Sequence, residues 1–475
     1  MSVLKKWLVV LICSLFIGLH GGNVLAEEGV GVELSYQEKK DIITEIGLKY
    51  EIPPEILKAI AYVETGMRQF DENGNPIMNA NDDGGIGIMQ VTLHEDDLKH
   101  REINREWLKW DTAYNIEVAA QLLDEKWNWT GTILPQVNDG ERDVLENWYF
   151  AVLAYNGLEA RNDPNRNETT YQERVYQTLS TRTLLPEMDF PSFQVKYEDG
   201  GNIMKFVDDH VETDTQTKST QMFTEGDHVY SYALEPGSTI NFREQPTVSS
   251  RKLGDVPLYM PLTVNGKLEH DNHRDNLFGY YPFHYADAHG FMASSYVREG
   301  KITEFYDIRD QEVTEAVGFL EARGIISGYS DGSFRPYEPI YRRHVAAILQ
   351  RALDLEVPSD YELQATDMRE GDLGYDEMKA MEYHGIMKGS NGNIRPNEYM
   401  TRAQMATILT VVFDDQLATP TVKHTFEDVP MDFWSYEAIN RLYDNGLTTV
   451  NTFRPNENVT RSQFALFLKR VMDEM

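Results

Sequence analysis

Three short clusters of residues carry the chemistry. Glu64 ends the amphipathic run Ile56-Leu57-Lys58-Ala59-Ile60-Ala61-Tyr62-Val63, a stretch expected to bury its surroundings. Downstream come Gly85-Ile86-Gly87-Ile88-Met89-Gln90 and then Ala154-Tyr155-Asn156-Gly157. A carboxyl group desolvated on one side by Ile60 and Val63 is expected to favour its neutral form, which is what protonation of a leaving oxygen requires. The glycine-rich turn with its amide, and the aromatic-amide pair, add hydrogen-bonding groups for a polar substrate. The combination implies acid-assisted cleavage of a glycosidic bond.

A hydrolase that inverts would need a second carboxylate about 6.5–9.5 Å from the first, with water between them. Asp82 and Asp83, directly before the glycine turn, are the candidates. Asp71-x-Asn73-x-Asn75 with Asp82 has the outline of a calcium loop, but Pro76 stands where that loop needs glycine. The histidines are scattered and no His/Cys cluster has zinc spacing, so neither a metal nor a cofactor is expected. Trp107, Trp110, Trp127, Trp129 and Trp148 are possible sugar platforms, although their helical spacing points to the core.

The elements that must position these groups follow from periodicity. Apolar residues recur at three and four in Ile42-Ile43-Ile46, Ile56-Leu57-Ile60, Val118-Ala119-Leu122-Leu123 and Trp148-Val152-Leu153, so residues 35–180 are expected as a compact α domain. Pro53-Pro54 marks a helix start, where missing amide donors cost nothing. Residues 181–227 lose periodicity and read as a linker. Residues 228–299 carry short β-prone runs between glycine and proline turns, as in a small β-barrel.

The last third repeats. Gly324, Gly385 and Gly446 recur at the same position of three copies, as do Arg335-Pro336, Arg395-Pro396 and Arg454-Pro455, and Asp307, Asp367 and Asp428. Each copy, over 303–353, 365–413 and 425–472, reads as an α-helical hairpin burying one face on its neighbours.

Lys5-Lys6, the apolar stretch Leu8 to Leu19 and Val24-Leu25-Ala26 read as a signal peptide over 1–26, so the chain is expected to be secreted. Cys13 lies inside that segment and Ile12 before it does not suit a lipid anchor, so the mature chain would hold no cysteine and no disulfide. Nothing later is long and apolar enough for a membrane span. Roughly 450 remaining residues, at about 100–200 per domain, imply several domains. A formal net charge of −33, from 44 basic against 77 acidic residues, excludes the phosphate attraction on which nucleic-acid binders depend.

With Glu64-Thr65, Gly85-Ile86-Gly87-Ile88-Met89-Gln90 and Ala154-Tyr155-Asn156 in that order, residues 35–180 resemble the lysozyme-like domain of lytic transglycosylases. Thr65 stands where serine is commoner in that family and keeps the hydroxyl. The resemblance implies Glu64 as general acid and then base, with Gln90, Met89, Tyr155 and Asn156 in substrate binding. It implies peptidoglycan as substrate, cleaved after N-acetylmuramic acid to give an anhydro sugar. A muramidase using Asp82 or Asp83, or a non-catalytic glycan-binding surface-layer protein, are the alternatives.

Asn241-Phe242-Arg243, Pro246-Thr247, Gly254, Tyr280-Tyr281, Gly290-Phe291 and Tyr296-Val297 are similar to bacterial SH3 domains, in which aromatics such as Tyr280 and Tyr281 line a peptide groove or fill the core. Thr401-Arg402-Ala403-Gln404, Thr460-Arg461-Ser462-Gln463 and Tyr341-Arg342-Arg343-His344 resemble the opening of the second helix of S-layer homology domains. That resemblance implies that Arg342, Arg402 and Arg461 bind a pyruvylated secondary cell-wall polysaccharide, because a guanidinium offers a carboxylate two parallel hydrogen bonds. The expected architecture is therefore multidomain: a lysozyme-like α domain, an SH3-like β-barrel and three helical repeats, placed at the cell wall with the S-layer.

Overall fold

The computed structural model describes residues 30–79, 84–234, 238–420 and 423–472. The expected signal segment 1–26 and the candidate carboxylates Asp82 and Asp83 lie outside them. The chain divides into two compact units: one runs to Met222 and includes Glu269–Gly279, and the other comprises Phe223–Leu268 and Tyr280 onward.

Among the described residues the first unit is built on seven α-helices: α1 Tyr36–Lys49, α2 Pro54–Thr65, α3 Glu95–His100, α4 Arg105–Trp110, α5 Thr112–Trp127, α6 Tyr149–Asn156 and α7 Tyr171–Arg182. Ser35 and Glu38 close a capping box at the start of α1, and Pro53-Pro54 opens α2 as its sequence implies. Ile56, Leu57, Ala59, Ile60 and Ala61 are all fully buried, as are Phe150, Ala151, Val152 and Leu153. The helix carrying the acid therefore sits in the core, packed on α1 and α7. Trp127 and Trp148 are core residues, whereas Trp107 and Trp110 are 59% and 38% exposed.

Residues 181–227, expected as a linker, mostly belong to this unit. Leu185, Met188, Phe193, Met204 and Val211 join its core. Their spacing is too irregular to announce an element, yet each fills the helical surface. Strands β1 Gln136–Val137 and β4 His210–Val211 pair in parallel, and β2 Val195–Lys196 pairs with β3 Lys205–Phe206.

Buried charges fasten two further segments onto α1 and α2. Lys40, fully buried, donates to Asp271 Oδ1 at 3.0 Å and to the carbonyls of His273 and Asn276. Lys58 contacts His270 Nε2 and Gln221 Oε1, while His270 Nδ1 meets Asp41 at 2.7 Å. Glu55 accepts from Ser219 Oγ at 2.8 Å and Thr220 N at 2.9 Å. Burial drives the Lys58 ammonium and the His270 ring well below their ordinary values.

Among the described residues the second unit begins with seven strands: β5 His228–Ser231, β6 Ile240–Arg243, β7 Lys252–Val256, β8 Pro261–Thr263, β9 Tyr280–Tyr285, β10 Ala288–Ala293 and β11 Val297–Glu299. They form two sheets, ordered β7-β6-β10-β9 and β11-β5-β8, so the expected closed barrel is not made. Between β8 and β9 the chain leaves on the excursion that contains Glu269–Gly279. Tyr280 and Tyr281 are buried at 2% and 0% exposure and serve the core, so they line no open groove.

Helices α8 Gln311–Ala322, α9 Arg342–Leu353, α10 Tyr375–Tyr383, α11 Arg402–Val412, α12 Tyr436–Asp444 and α13 Arg461–Met472 supply two helices to each of the three repeats, which do not pair within a repeat as the expected hairpins. The second helix of each repeat packs on the first helix of the next, and α13 returns to α8, closing a ring. At its centre Met400 N donates to Ile340 O, Ile340 N to Val459 O and Val459 N to Met400 O, one residue from each repeat, at 2.8–2.9 Å. The recurring aspartates explain the repeat at the Arg-Pro loops. Asp307 accepts the N–H groups of Phe334 and Arg335, Asp367 those of Ile394 and Arg395, and Asp428 those of Phe453 and Arg454. They hold Arg335, Arg395 and Arg454 at φ of 56°, 58° and 59°, a conformation that is unfavourable without such support. Gly318 of α8 approaches Tyr259 so closely that a Cβ would lie 2.5 Å from the tyrosine Cβ, so the sheets and the repeats share one core.

Candidate functional site

Helix α2 delivers Glu64 half-buried at its end, and Gly66, at a left-handed φ of 64°, stops the helix. Thr65 then links the acid helix to the glycine turn: its Oγ1 donates to the Ile88 carbonyl at 3.0 Å and accepts from Arg68 N at 3.0 Å.

Two amides buried beneath the turn fix its shape. Gln69 donates to the carbonyls of Leu108 and Lys109 and accepts the Ile88 N–H at 2.8 Å. Asn115 donates to Ile86 and Leu108 and accepts the Met89 N–H at 3.1 Å. Gly87 has φ of 71°, and a Cβ there would lie 2.5 Å from both amides, so no larger residue fits. Gln90 turns back to donate to the Gly87 carbonyl at 2.8 Å and stays half-buried.

The third cluster joins from the end of α6. Tyr155 Oη donates to the Met89 carbonyl at 2.8 Å, and Asn156 Oδ1 accepts from Asn162 Nδ2 at 3.1 Å. Met89, expected among the substrate-binding residues, is fully buried and contributes its backbone carbonyl in place of its side chain. Asp71, which opens the segment with the outline of a calcium loop, spends one carboxylate oxygen on the N–H groups of Asn73 and Asn75. Among the described residues no group of three or more potential metal-binding side chains is present.

Sequence reading missed Tyr171. It opens α7, is only 3% exposed, and donates its hydroxyl to Glu64 Oε1 at 2.7 Å. The one local signal is Thr170-x-x-Glu173, a capping box in which Glu173 accepts the Thr170 N–H at 3.0 Å and so fixes where α7 starts. Burial, and then the Glu64 carboxylate, push the phenols of Tyr155 and Tyr171 well above their ordinary value, so both remain donors. A carboxyl group on a packed helix, a rigid turn carrying an amide and two fixed phenols can hold a polar substrate against one proton donor and acceptor.

In the second unit the three recurrent arginines fasten the ring. Arg342 Nε donates to Ile394 O at 3.1 Å, Arg402 Nε to Phe453 O at 2.6 Å and Arg461 Nε to Phe334 O at 2.8 Å. Arg461 also reaches Ser327 O at 3.0 Å and, with Gly328, Tyr329 and His344, lines a pocket of about 190 Å³. Burial, followed by Arg343 and Arg461, pushes His344 down to about 4. Gln404 and Gln463 accept the N–H groups of Thr401 and Thr460 at 3.0 and 3.1 Å, completing the helix caps.

Comparison with known proteins bears on both units. Residues 41–177 match the family described as Transglycosylase SLT domain, and residues 304–346, 366–406 and 425–465 match the S-layer homology domain. The chain thus carries a transglycosylase SLT domain and three S-layer homology domains. It is similar to the S-layer protein of Bacillus thuringiensis subsp. finitimus, 25% identical over 160 residues that cover 33% of this chain and 20% of the relative. The Surface-layer 125 kDa protein of Lysinibacillus sphaericus is 29% identical over 170 residues, 34% of this chain and 14% of its own length. The Amylopullulanase of Thermoanaerobacterium thermosulfurigenes is 24% identical over 180 residues, 36% and 10% respectively. The chain spans about a tenth to a fifth of the length of these relatives.

Proposed function

We propose that this chain is a secreted enzyme that cleaves the glycan strands of peptidoglycan and is retained at the cell wall by its three repeats. The observation that carries the reading is the hydrogen-bonded assembly of Glu64 and the glycine turn by residues from separate parts of the chain. Tyr171 donates to the carboxylate itself, while Thr65 and Tyr155 fasten the Gly85–Gln90 turn beside it.

In this reading Glu64 gives its proton to the glycosidic oxygen as the bond breaks, and the leaving sugar departs as a neutral alcohol. The substrate's own acetamido group assists at the carbon left behind. Glu64, now ionised, takes the proton from that sugar's primary hydroxyl, which closes an anhydro ring. Tyr171 holds the carboxylate in place through both steps, and Gln90 and Asn156 bind sugar substituents. A lytic transglycosylase needs no second carboxylate. The muramidase reading depends on Asp82 or Asp83, and the released product distinguishes the two.

The wall-binding half of the proposal rests on the repeats. Arg461, lining its pocket with Gly328 and Tyr329, suits the carboxylate of a pyruvylated wall polysaccharide, with Arg342 and Arg402 at the equivalent positions. Retention raises the local concentration of the enzyme at its polymer. The direct test is clearing of purified wall suspensions by the full chain and its Glu64→Gln variant. Clearing by the wild type alone supports the reading; equal clearing by both, or by neither, removes it.

A further inference from the structure

We propose that the first unit holds a second recognition site, for the carboxylate-bearing peptide arms of the same wall polymer, where the loop after α6 meets strand β2. The proposal rests on the glycan-cleaving reading of Glu64 and names a part of the substrate that the acid itself does not touch.

The site is connected to the candidate active site by consecutive residues. Asn162, buried at 2% exposure, donates to Asn156 Oδ1 at 3.1 Å and to Gly157 O at 2.8 Å. Its neighbour Asp163, at 1% exposure, accepts from Asn165 N at 2.9 Å and from Tyr197 Oη at 2.6 Å. A cavity of about 670 Å³ opens there, lined by Asp163, Asn165, Arg166, Gln194, Lys196 and Tyr197 among others.

Arg166 is the recognition element. Its guanidinium lies 3.8 Å above the Tyr197 ring, and its Nε is 3.5 Å from the Asp163 carboxylate. Asn165 and Tyr197 supply hydrogen bonds to that carboxylate, and Arg166 is paired with it through Nε as its counter-charge. The Arg166 side chain is 55% exposed, and its terminal nitrogens make no hydrogen bond among the described residues. Arginines used for structure in this chain behave differently: Arg142 places a terminal nitrogen on Tyr50 O at 2.8 Å and on Asp124 at 2.6 Å. Stacking on an anchored ring orients a guanidinium whose free fork matches a carboxylate. In a chain with net charge −33, Lys196 beside the Arg166–Asp163 pair adds a positive charge that attracts acidic groups.

A peptide fits this cavity better than a sugar. Among the described residues strand β2 pairs with β3 alone, and the cavity is lined by β2 residues and by none of β3. The unpaired main chain of β2 can therefore take an extended peptide alongside it while Arg166 and Lys196 bind its carboxylates. The SLT match ends at residue 177, so five of the eight residues lining this cavity come from chain outside the matched family segment.

The test measures binding to the full-length Glu64→Gln chain of a synthetic stem-type tetrapeptide with free carboxylates and of the same peptide fully amidated. The free acid is expected to bind, with Arg166→Ala and amidation each weakening it about tenfold, the scale of one bidentate charge-assisted contact, and Arg166→Lys restoring part of the affinity. Equal binding of acid and amide, or no effect of Arg166→Ala, overturns the proposal. Cleavage assays separate it from the reading on which it rests. The wild type is expected to have a lower KM on peptide-bearing glycan than on glycan stripped of peptide, and Arg166→Ala to lose that difference while matching the wild type on stripped glycan. If the wild type cleaves neither glycan, the cleavage reading fails and the peptide titration alone decides the site.

Discussion

Tyr171 Oη donates to Glu64 Oε1 at 2.7 Å, joining the first residue of α7 to the end of α2. A hydrogen bond to a charged group is worth about 1.5–3 kcal/mol, so Tyr171→Phe should slow turnover roughly tenfold to hundredfold if it positions the acid. The loss should appear in kcat with KM little changed, because the ring and its packing remain. Steady-state kinetics on soluble glycan fragments provide the check; an unchanged kcat would mean the contact is idle.

The lock on α1 makes a prediction about stability. Asp271→Ala removes the carboxylate that bonds Lys40, which is fully buried, and should destabilise the first unit by about 3–5 kcal/mol, since the ammonium loses its ion-pair partner. Glu117→Ala removes the partner of Lys49, a residue more than half exposed, and should cost about 1 kcal/mol or less. Urea unfolding of the two variants beside the wild type measures the contrast.

Legibility followed the physics of each segment. Helix α2 and its terminal acid could be read because Ile56, Leu57 and Ile60 repeat on one face, and the repeats because Asp307, Asp367 and Asp428 recur at the same place in each copy. Lys40 and Lys58 could not be read as buried, because their partners, Asp271 and His270, lie more than two hundred residues away. Tyr171 was hidden for the same reason, being 107 residues from Glu64. Phe193, Met204 and Val211 give no sign of an element in the sequence because isolated apolar residues carry no period, although a preformed helical surface can bury them singly.

Acid should weaken the repeat unit through His344. Its folded value of about 4 lies below the ordinary 6.5, so between these two pH values the unfolded chain binds the extra proton and stability falls as pH falls. Above 6.5 the contribution is constant. Thermal unfolding at stepped pH should show the wild type losing stability across that window relative to His344→Gln; parallel profiles would assign the sensitivity elsewhere.

Retention on the wall should depend unequally on the three arginines. Arg461 has Gly328 and Tyr329 beside it, whereas the turn that meets Arg402 runs from Gly446 to Arg454 without a further glycine. Arg461→Lys keeps the charge but loses the planar fork, and it should reduce binding to purified walls by about tenfold, with Arg402→Lys affected less. Sedimentation with walls, before and after removal of the secondary polysaccharide, reads both effects.

If Glu64 alone performs the acid and base steps on a peptidoglycan strand, the fragments it releases carry its signature. Mass spectrometry of the fragments released by the full chain and by Glu64→Gln should find muropeptides with anhydro ends from the wild type and none from the variant. Reducing ends from the wild type, or the same fragments from both proteins, would rule out that single-carboxylate mechanism.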